Sequence, residues 1–325
     1  MKKIWAVTTA ITISLSLIAC EKKTTETAGQ NEPQATELKT LNIGYQKAAL
    51  KLIVAKQNKA FEQAFPNVNI EWKEFPAGPQ TLEALNAGSI DFGYTGDTPV
   101  IFALSGNKPI EYLAYEINSK NSHSLLVPKN STLQNIQGLK AKRIAVTKGS
   151  SAHYFLAQIL NQAGLSWQDI QPIWLSPADA RAALDKSSID AWAVWDPYSS
   201  AAELKGDSRV LFDAKNLTPA YSFYLSSPEF LKAHSATAHK IIETLNTTDD
   251  WINAHPAETV QILAKSTGLD VDVAEKVLSK RASPVKAKLL DEATIVEQQK
   301  IADLFANLKL IPNAVVLKEH VWAGQ

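Results

Sequence analysis

The chain has 325 residues, enough for two ordinary domains or one large one. Its 33 basic and 33 acidic residues cancel, which excludes a nucleic-acid binder that relies on a basic surface, and 45% apolar content excludes a disordered chain. A single cysteine excludes an intramolecular disulfide and a cysteine zinc cluster.

The first twenty residues set the location. Lys2 and Lys3 precede an apolar run from Ile4 to Ile18, too short and too soon followed by polar chain for a spanning helix. Residues 1–19 therefore read as a secretory signal peptide. Leu17-Ile18-Ala19-Cys20 resembles the lipobox of bacterial lipoproteins. That resemblance implies a lipid on Cys20 and a membrane-anchored protein of the periplasm or cell envelope. The alternative is a plain secretory signal with an incidental cysteine. Residues 20–38 are polar and lack an apolar period, as a flexible tether does. Processing removes Met1, the only methionine, and leaves one sulfur atom, on Cys20. Two explanations stand side by side: avoidance of methionine oxidation outside the cytoplasm, and synthesis when sulfur is scarce.

Lys39 to Tyr45 predicts a strand, 47–65 an amphipathic helix stopped by Pro66, and Val68 to Phe75 a second strand. Gln80 to Ala87 predicts a short helix and Ile90 to Tyr94 a third strand. This order gives an α/β layer with a parallel sheet. The order then recurs. Arg143 to Thr147 is a strand, Ala152 to Ala163 a helix and Asp169 to Trp174 a strand. A helix capped by Ser176 with Pro177 first follows, then a strand over Ile189 to Trp195. Ser89-Ile90-Asp91 matches Ser188-Ile189-Asp190 at an offset of 99, and Asp97 matches Asp196 in the same register. Two related lobes follow. Ser122–Val127 and Tyr221–Leu225 are strand-like segments able to cross between them. From about 230 the chain is helical, over 230–254, 256–266, 270–280 and 290–307, and these helices are expected on the first lobe.

In open parallel sheets, ligands sit beyond the carboxyl ends of the strands. Four such loops stand out: 46–47, 95–98, 148–151 and 195–198. Each precedes or opens a helix, whose free N–H groups and positive dipole end favour an anion. Gly96 and Gly149 allow close approach, and Thr95, Ser150 and Ser151 add hydroxyls. On pattern alone these hydroxyls serve equally as helix caps, as do Asp97 and Asp196. Trp192 and Trp195 face opposite sides of a strand, one toward the core and one free to wall a cleft. His153 reads as a surface helix residue. None of the four arginines lies in these loops, Arg181 coming nearest, so neutral donors would hold the anion. No GxSxG, HExxH, P-loop or GxGxxG motif is present, and the histidines are scattered, so no cofactor and no metal are expected.

At these loops the chain resembles the substrate-binding proteins of ABC importers for aliphatic sulfonates, within the wider sulfonate, taurine and nitrate group. The stretches that carry the likeness are IGYQK (43–47), 74–103, KGSSAH (148–153), PADARAAL (177–184), DAWAVWDPY (190–198) and SFYL (222–225). The resemblance implies a two-lobed periplasmic-binding-protein type II fold, each lobe a mainly parallel sheet flanked by helices. On this basis lobe 1 comprises 39–121 and 226–325, and lobe 2 comprises 122–225. The resemblance further implies no chemistry on the ligand, a monomer, and a cleft lined by Gln46, Thr95, Gly96, Asp97, Ser150, Ser151 and Trp195. The implied partners are a small anion, an alkanesulfonate, and the permease of the importer. Taurine or nitrate capture is the nearest alternative. An enzyme acting on a small anion through Ser151 and His153 is a more distant one.

Overall fold

The computed structural model describes residues 38–119, 121–217 and 220–325. The leader, Cys20 and all of the tether but Leu38 lie outside the described residues.

The first lobe begins with β1 (Thr40–Tyr45), α1 (Leu50–Gln57), α2 (Ala60–Ala64), β2 (Asn69–Glu74) and α3 (Gly78–Asn86). It continues with β3 (Phe92–Gly96), α4 (Asp97–Ser105) and β4 (Glu111–Ile117). The chain then builds the second lobe from β5 (His123–Pro128), β6 (Arg143–Val146), α5 (Ser151–Gln162), β7 (Gln171–Trp174), α6 (Pro177–Asp185), β8 (Ala191–Trp195), α7 (Tyr198–Leu204) and β9 (Ser208–Asp213). It returns through β10 (Tyr221–Ser226) to α8 (Pro228–Ala233), α9 (Ser235–Ala254), α10 (Pro256–Thr267), α11 (Val271–Ser279) and α12 (Glu292–Asn307).

The two five-stranded sheets have the orders β2-β1-β3-β10-β4 and β7-β6-β8-β5-β9. In each, β1 or β6 pairs in parallel with both neighbours, and one strand, β10 or β5, runs against the rest. That antiparallel strand is the one the chain enters on crossing from the other lobe. The matched residues of the two halves act alike. Asp91 Oδ2 accepts the Asn42 N–H at 2.6 Å, and Asp190 Oδ2 accepts the Arg143 N–H at 2.8 Å. Each carboxylate ties the start of its third strand to the first strand.

The structure departs from the expected elements at four places. The helix expected over 47–65 is two helices, because Lys59 takes a left-handed conformation with φ 54°. The break turns fully buried Phe61 onto Trp72 and Phe92, at centroid distances of 5.6 and 5.7 Å. The helix over 230–254 is likewise broken, at His234. Strands β4 and β9 have no counterpart among the expected elements. Strand β10 belongs to the first sheet, where Phe223 pairs with Thr95 and Tyr115, so the first lobe resumes before residue 226.

The first sheet is buried on both faces. Leu41, Ile43, Phe92 and Tyr224 pack with α1, α2, α9 and α10 on one side. Phe223, Leu225 and Tyr112 pack with α3, α4 and α12 on the other. The second lobe has its own core around Trp192, Leu125, Val146 and Leu156. Each large apolar side chain so buried stabilises by about 1.5–3 kcal/mol, which holds the strand ends and their loops in place. Among the described residues no helix is long and apolar enough to cross a membrane.

Candidate ligand-binding site

The carboxyl ends of β1, β3 and β8 and the turn after β6 converge on one cavity of about 130 Å³ between the lobes. Two helices open onto it from opposite sides, α4 behind Gly96 and α5 behind Ser150. Neither cap residue makes a side-chain bond to its helix. By helix geometry the first-turn N–H groups and the positive dipole end point outward from such termini. The lobes are in contact here: a Cβ built on Gly96 lies 3.0 Å from Ser151 Cβ. A side chain here would press on Ser151, a contact that glycine avoids.

Of the residues expected at the site, six lie on the cavity wall: Gln46, Thr95, Gly96, Ser150, Ser151 and Trp195. Their chemistry differs. Thr95 is fully buried, and its hydroxyl has no partner within the protein. A buried hydroxyl left unpaired costs stability, so an orphan on a cavity wall is a donor held for something else. Gln46 donates one amide hydrogen to the Tyr94 carbonyl at 2.8 Å, while Thr81 Oγ1 stands off at 3.5 Å. Ser150 donates its hydroxyl to the Thr147 carbonyl at 2.7 Å, so it contributes backbone rather than a hydroxyl donor. Trp195 is the indole that faces the cavity, and Trp192 lies in the second lobe's core.

Asp97 does not line the cavity. Its Oδ1 accepts the Thr98 N–H at 2.6 Å and the Thr98 hydroxyl at 2.8 Å, and its carbonyl accepts from Gln298. A carboxylate in the first turn of a helix satisfies orphan donors there, which turns it away from the ligand space. Burial raises its pKa to about 6, with the Thr98 hydrogen bonds opposing the rise.

His153 is also placed differently. It lies on the inward face of α5, 1% exposed, among Phe102 and Phe305 of the first lobe and Trp167 and Trp174 of the second. Its Nδ1 accepts the Gly149 N–H. Burial lowers its pKa to about 3, with the Lys148 charge adding to the effect. The neutral ring is a packing element between lobes. The pairing of Ser151 with His153 is therefore not formed.

The histidine beside Ser151 is His123, the first residue of β5, whose Nε2 lies 2.8 Å from Ser151 Oγ. The sequence marks this segment only as a crossing between lobes. A crossing must run behind the cleft, which was the signal available. Lys280 and Arg281, from the end of α11, also reach the cavity, so its arginine is Arg281 and not Arg181. Arg181 instead pairs with Asp185. The cations at the cavity are mostly engaged. Lys280 lies 2.8 Å from Asp196, Lys51 lies 2.6 Å from Glu116, and Arg281 pairs with Asp249. Leu50, Leu263, Val277, Val285 and Trp195 give the cavity an apolar side. The arrangement suits a small amphiphile with an anionic head.

The family described as NMT1/THI5 like matches residues 47–259. The alkanesulfonate-binding protein SsuA from Xanthomonas axonopodis pv. citri, solved bound to MOPS, superposes with a TM-score of 0.85 at 42% identity. The match covers 89% of this chain and 99% of that one. The periplasmic aliphatic sulphonate binding protein SsuA from Escherichia coli matches with a TM-score of 0.80 at 40% identity, over 88% and 98% of the two chains. The taurine-binding periplasmic protein of Escherichia coli K12 is 25% identical over 82% of this chain and 89% of its own. The two-lobed periplasmic-binding-protein fold is thereby established.

Proposed function

The chain belongs to the NMT1/THI5-like family, and from that premise we propose that it captures aliphatic sulfonates and delivers them, chemically unchanged, to an ABC importer. The observation that carries this reading is the unpartnered Thr95 hydroxyl set across the lobe boundary from the α5 N-terminus. A sulfonate is anionic at every relevant pH, has three acceptor oxygens and has no proton to give. Hydroxyl and N–H donors match it. Both carboxylates on the wall, Glu116 and Asp196, are held by lysines and so are poorly placed to accept a phosphate proton. The sulfur-poor mature chain supports a role in sulfur acquisition.

One contact favours a second reading. Ser151 and His123 are at the distance of a nucleophile and its base. Burial lowers the His123 pKa to about 4, against the pull of Asp196, and so weak a base is mismatched to proton abstraction near neutral pH. Its Nδ1 meets Ser122 at 3.0 Å rather than an orienting carboxylate. Both facts support binding over turnover.

The lipobox-like run ending at Cys20 supports anchoring by acyl chains in the periplasm or cell envelope. In this reading the partner is the importer's permease and the protein acts as a monomer. A calorimetric panel of alkanesulfonates, taurine, nitrate and matching alcohols, in sulfonate-free buffer, tests the reading. Alkanesulfonates should bind most tightly. Equal binding of an uncharged alcohol overturns the anion site, and tighter binding of taurine or nitrate moves the assignment within the family.

A further inference from the structure

His123 is 5% exposed and fixed on every side. Its carbonyl accepts from Ala214, Asp196 N–H is bonded to the neighbouring Ser122 carbonyl, and its ring lies against Phe155 at a centroid distance of 5.7 Å. Ser122 Oγ is 3.0 Å from Nδ1 and Ser151 Oγ is 2.8 Å from Nε2. A neutral imidazole has one N–H and one bare nitrogen, so this three-membered chain has two arrangements. With the proton on Nε2, the ring donates to Ser151 Oγ, Ser122 donates to Nδ1, and the Ser151 hydroxyl proton is released toward the cavity. With the proton on Nδ1, the ring donates to Ser122, Ser151 donates to Nε2, and Ser151 shows the cavity a lone pair. The first arrangement attracts an acceptor-only head group; the second repels it.

We propose that His123 is a positioning residue that sets the hydrogen-bond polarity of Ser151, and that a bound sulfonate holds the imidazole in its Nε2–H form. This rests on the sulfonate reading of the cavity. His123 stands on the cavity wall, and its Nε2 is engaged with Ser151 Oγ, through which it acts. The imidazolium is not required. The charged groups around the ring are Asp196 after β8, Lys280 from α11, which neutralises Asp196, and Asp213 on the paired strand β9. Burial outweighs the Asp196 attraction and keeps the ring neutral near pH 7. Ethanesulfonate binding should therefore take up no proton at pH 7.5. Below about pH 5 the anion favours the imidazolium, so binding should begin to take up protons and tighten as pH falls.

The test is made on the whole protein in Tris buffer with ethanesulfonate. The side-chain ¹⁵N spectrum of the wild-type complex should place the His123 proton on Nε2. His123→Gln, whose amide N–H replaces the Nε2 donor, should bind within about threefold of wild type. His123→Leu, which has no donor, should bind about tenfold more weakly. A proton on Nδ1 in the complex overturns the proposal even if a variant misfolds. So does a folded His123→Leu that binds as wild type does. Failure of the wild-type protein to bind any sulfonate overturns the reading of the ligand, which is a different result from either.

Discussion

Lys280 Nζ and Asp196 Oδ2 lie 2.8 Å apart, and the bond between them joins the two lobes. Lys280 follows α11, which packs on α10 of the first lobe, while Asp196 follows β8 of the second. Ser200 Oγ accepts a second bond from the same ammonium, and Lys276 with Glu203 forms a parallel bridge at 2.6 Å. Across the cavity, Phe102 of α4 meets Gly149 and His153. The lobes are clasped on both flanks of the ligand space.

Lys280→Met should loosen that clasp. The two side chains are 17% and 10% exposed, between the surface and buried regimes, so the loss is about 1–3 kcal/mol of closed-form stability. A ligand that binds the closed form must supply the difference, so its affinity should fall by about 5- to 150-fold. Calorimetry with small-angle scattering reads both effects. Unchanged affinity and an unchanged radius of gyration in the complex would mean that the bridge exerts no closing force.

Thr95→Val separates ligand binding from folding. The hydroxyl has no partner in the protein, so its isosteric removal should leave the unliganded melting temperature equal or higher. Alkanesulfonate binding should lose about 1.5–3 kcal/mol, the scale of a hydrogen bond to a charged group. Thermal melts without ligand and calorimetry with it give the two numbers. A variant that melts lower yet binds normally would assign Thr95 to the fold.

Asp97→Asn tests the carboxyl that the cavity excludes. Its pKa is raised to about 6 by burial, above the ordinary 3.8, so the folded state favours the proton more than the unfolded chain does. Wild-type stability therefore falls as pH rises from about 4 to about 6 and stays reduced above that. The asparagine oxygen can still accept from Thr98. The variant should match wild type below about pH 4 and exceed it by up to about 3 kcal/mol above pH 6. Chemical melts across pH measure this. Sulfonate affinity should not fall, whereas a carboxylate that bound ligand would give a clear loss.

The difference between Thr95 and Asp97 shows which part of the site is legible in sequence. The ends of parallel strands mark the loops 46–47, 95–98, 148–151 and 195–198, and the repeat at an offset of 99 pairs the second with the fourth. Topology therefore finds the loops that border the cavity. Local capping then decides which side chains face outward, and it turns Asp97 inward while Ser150 bonds its own turn. His123, Lys280 and Arg281 come from a crossing strand and a late helix end. No local period marks them, because tertiary packing brings them in. His153 shares the inward stripe of α5 with Ala152, Leu156 and Leu160, a period that points inward, whereas the surface reading follows its polarity. Strand β10 sits in the first sheet because that sheet needs an antiparallel partner between β3 and β4, a requirement set by the whole lobe.

A crystal structure of the complex with a short alkanesulfonate tests the central claim most directly. The account predicts sulfonate oxygens within hydrogen-bond distance of Thr95 Oγ1, Ser151 Oγ and the first N–H groups of α5, with the alkyl chain against Trp195. A head group seated on Lys280 or Arg281, with the Thr95 hydroxyl still unpartnered, would contradict it.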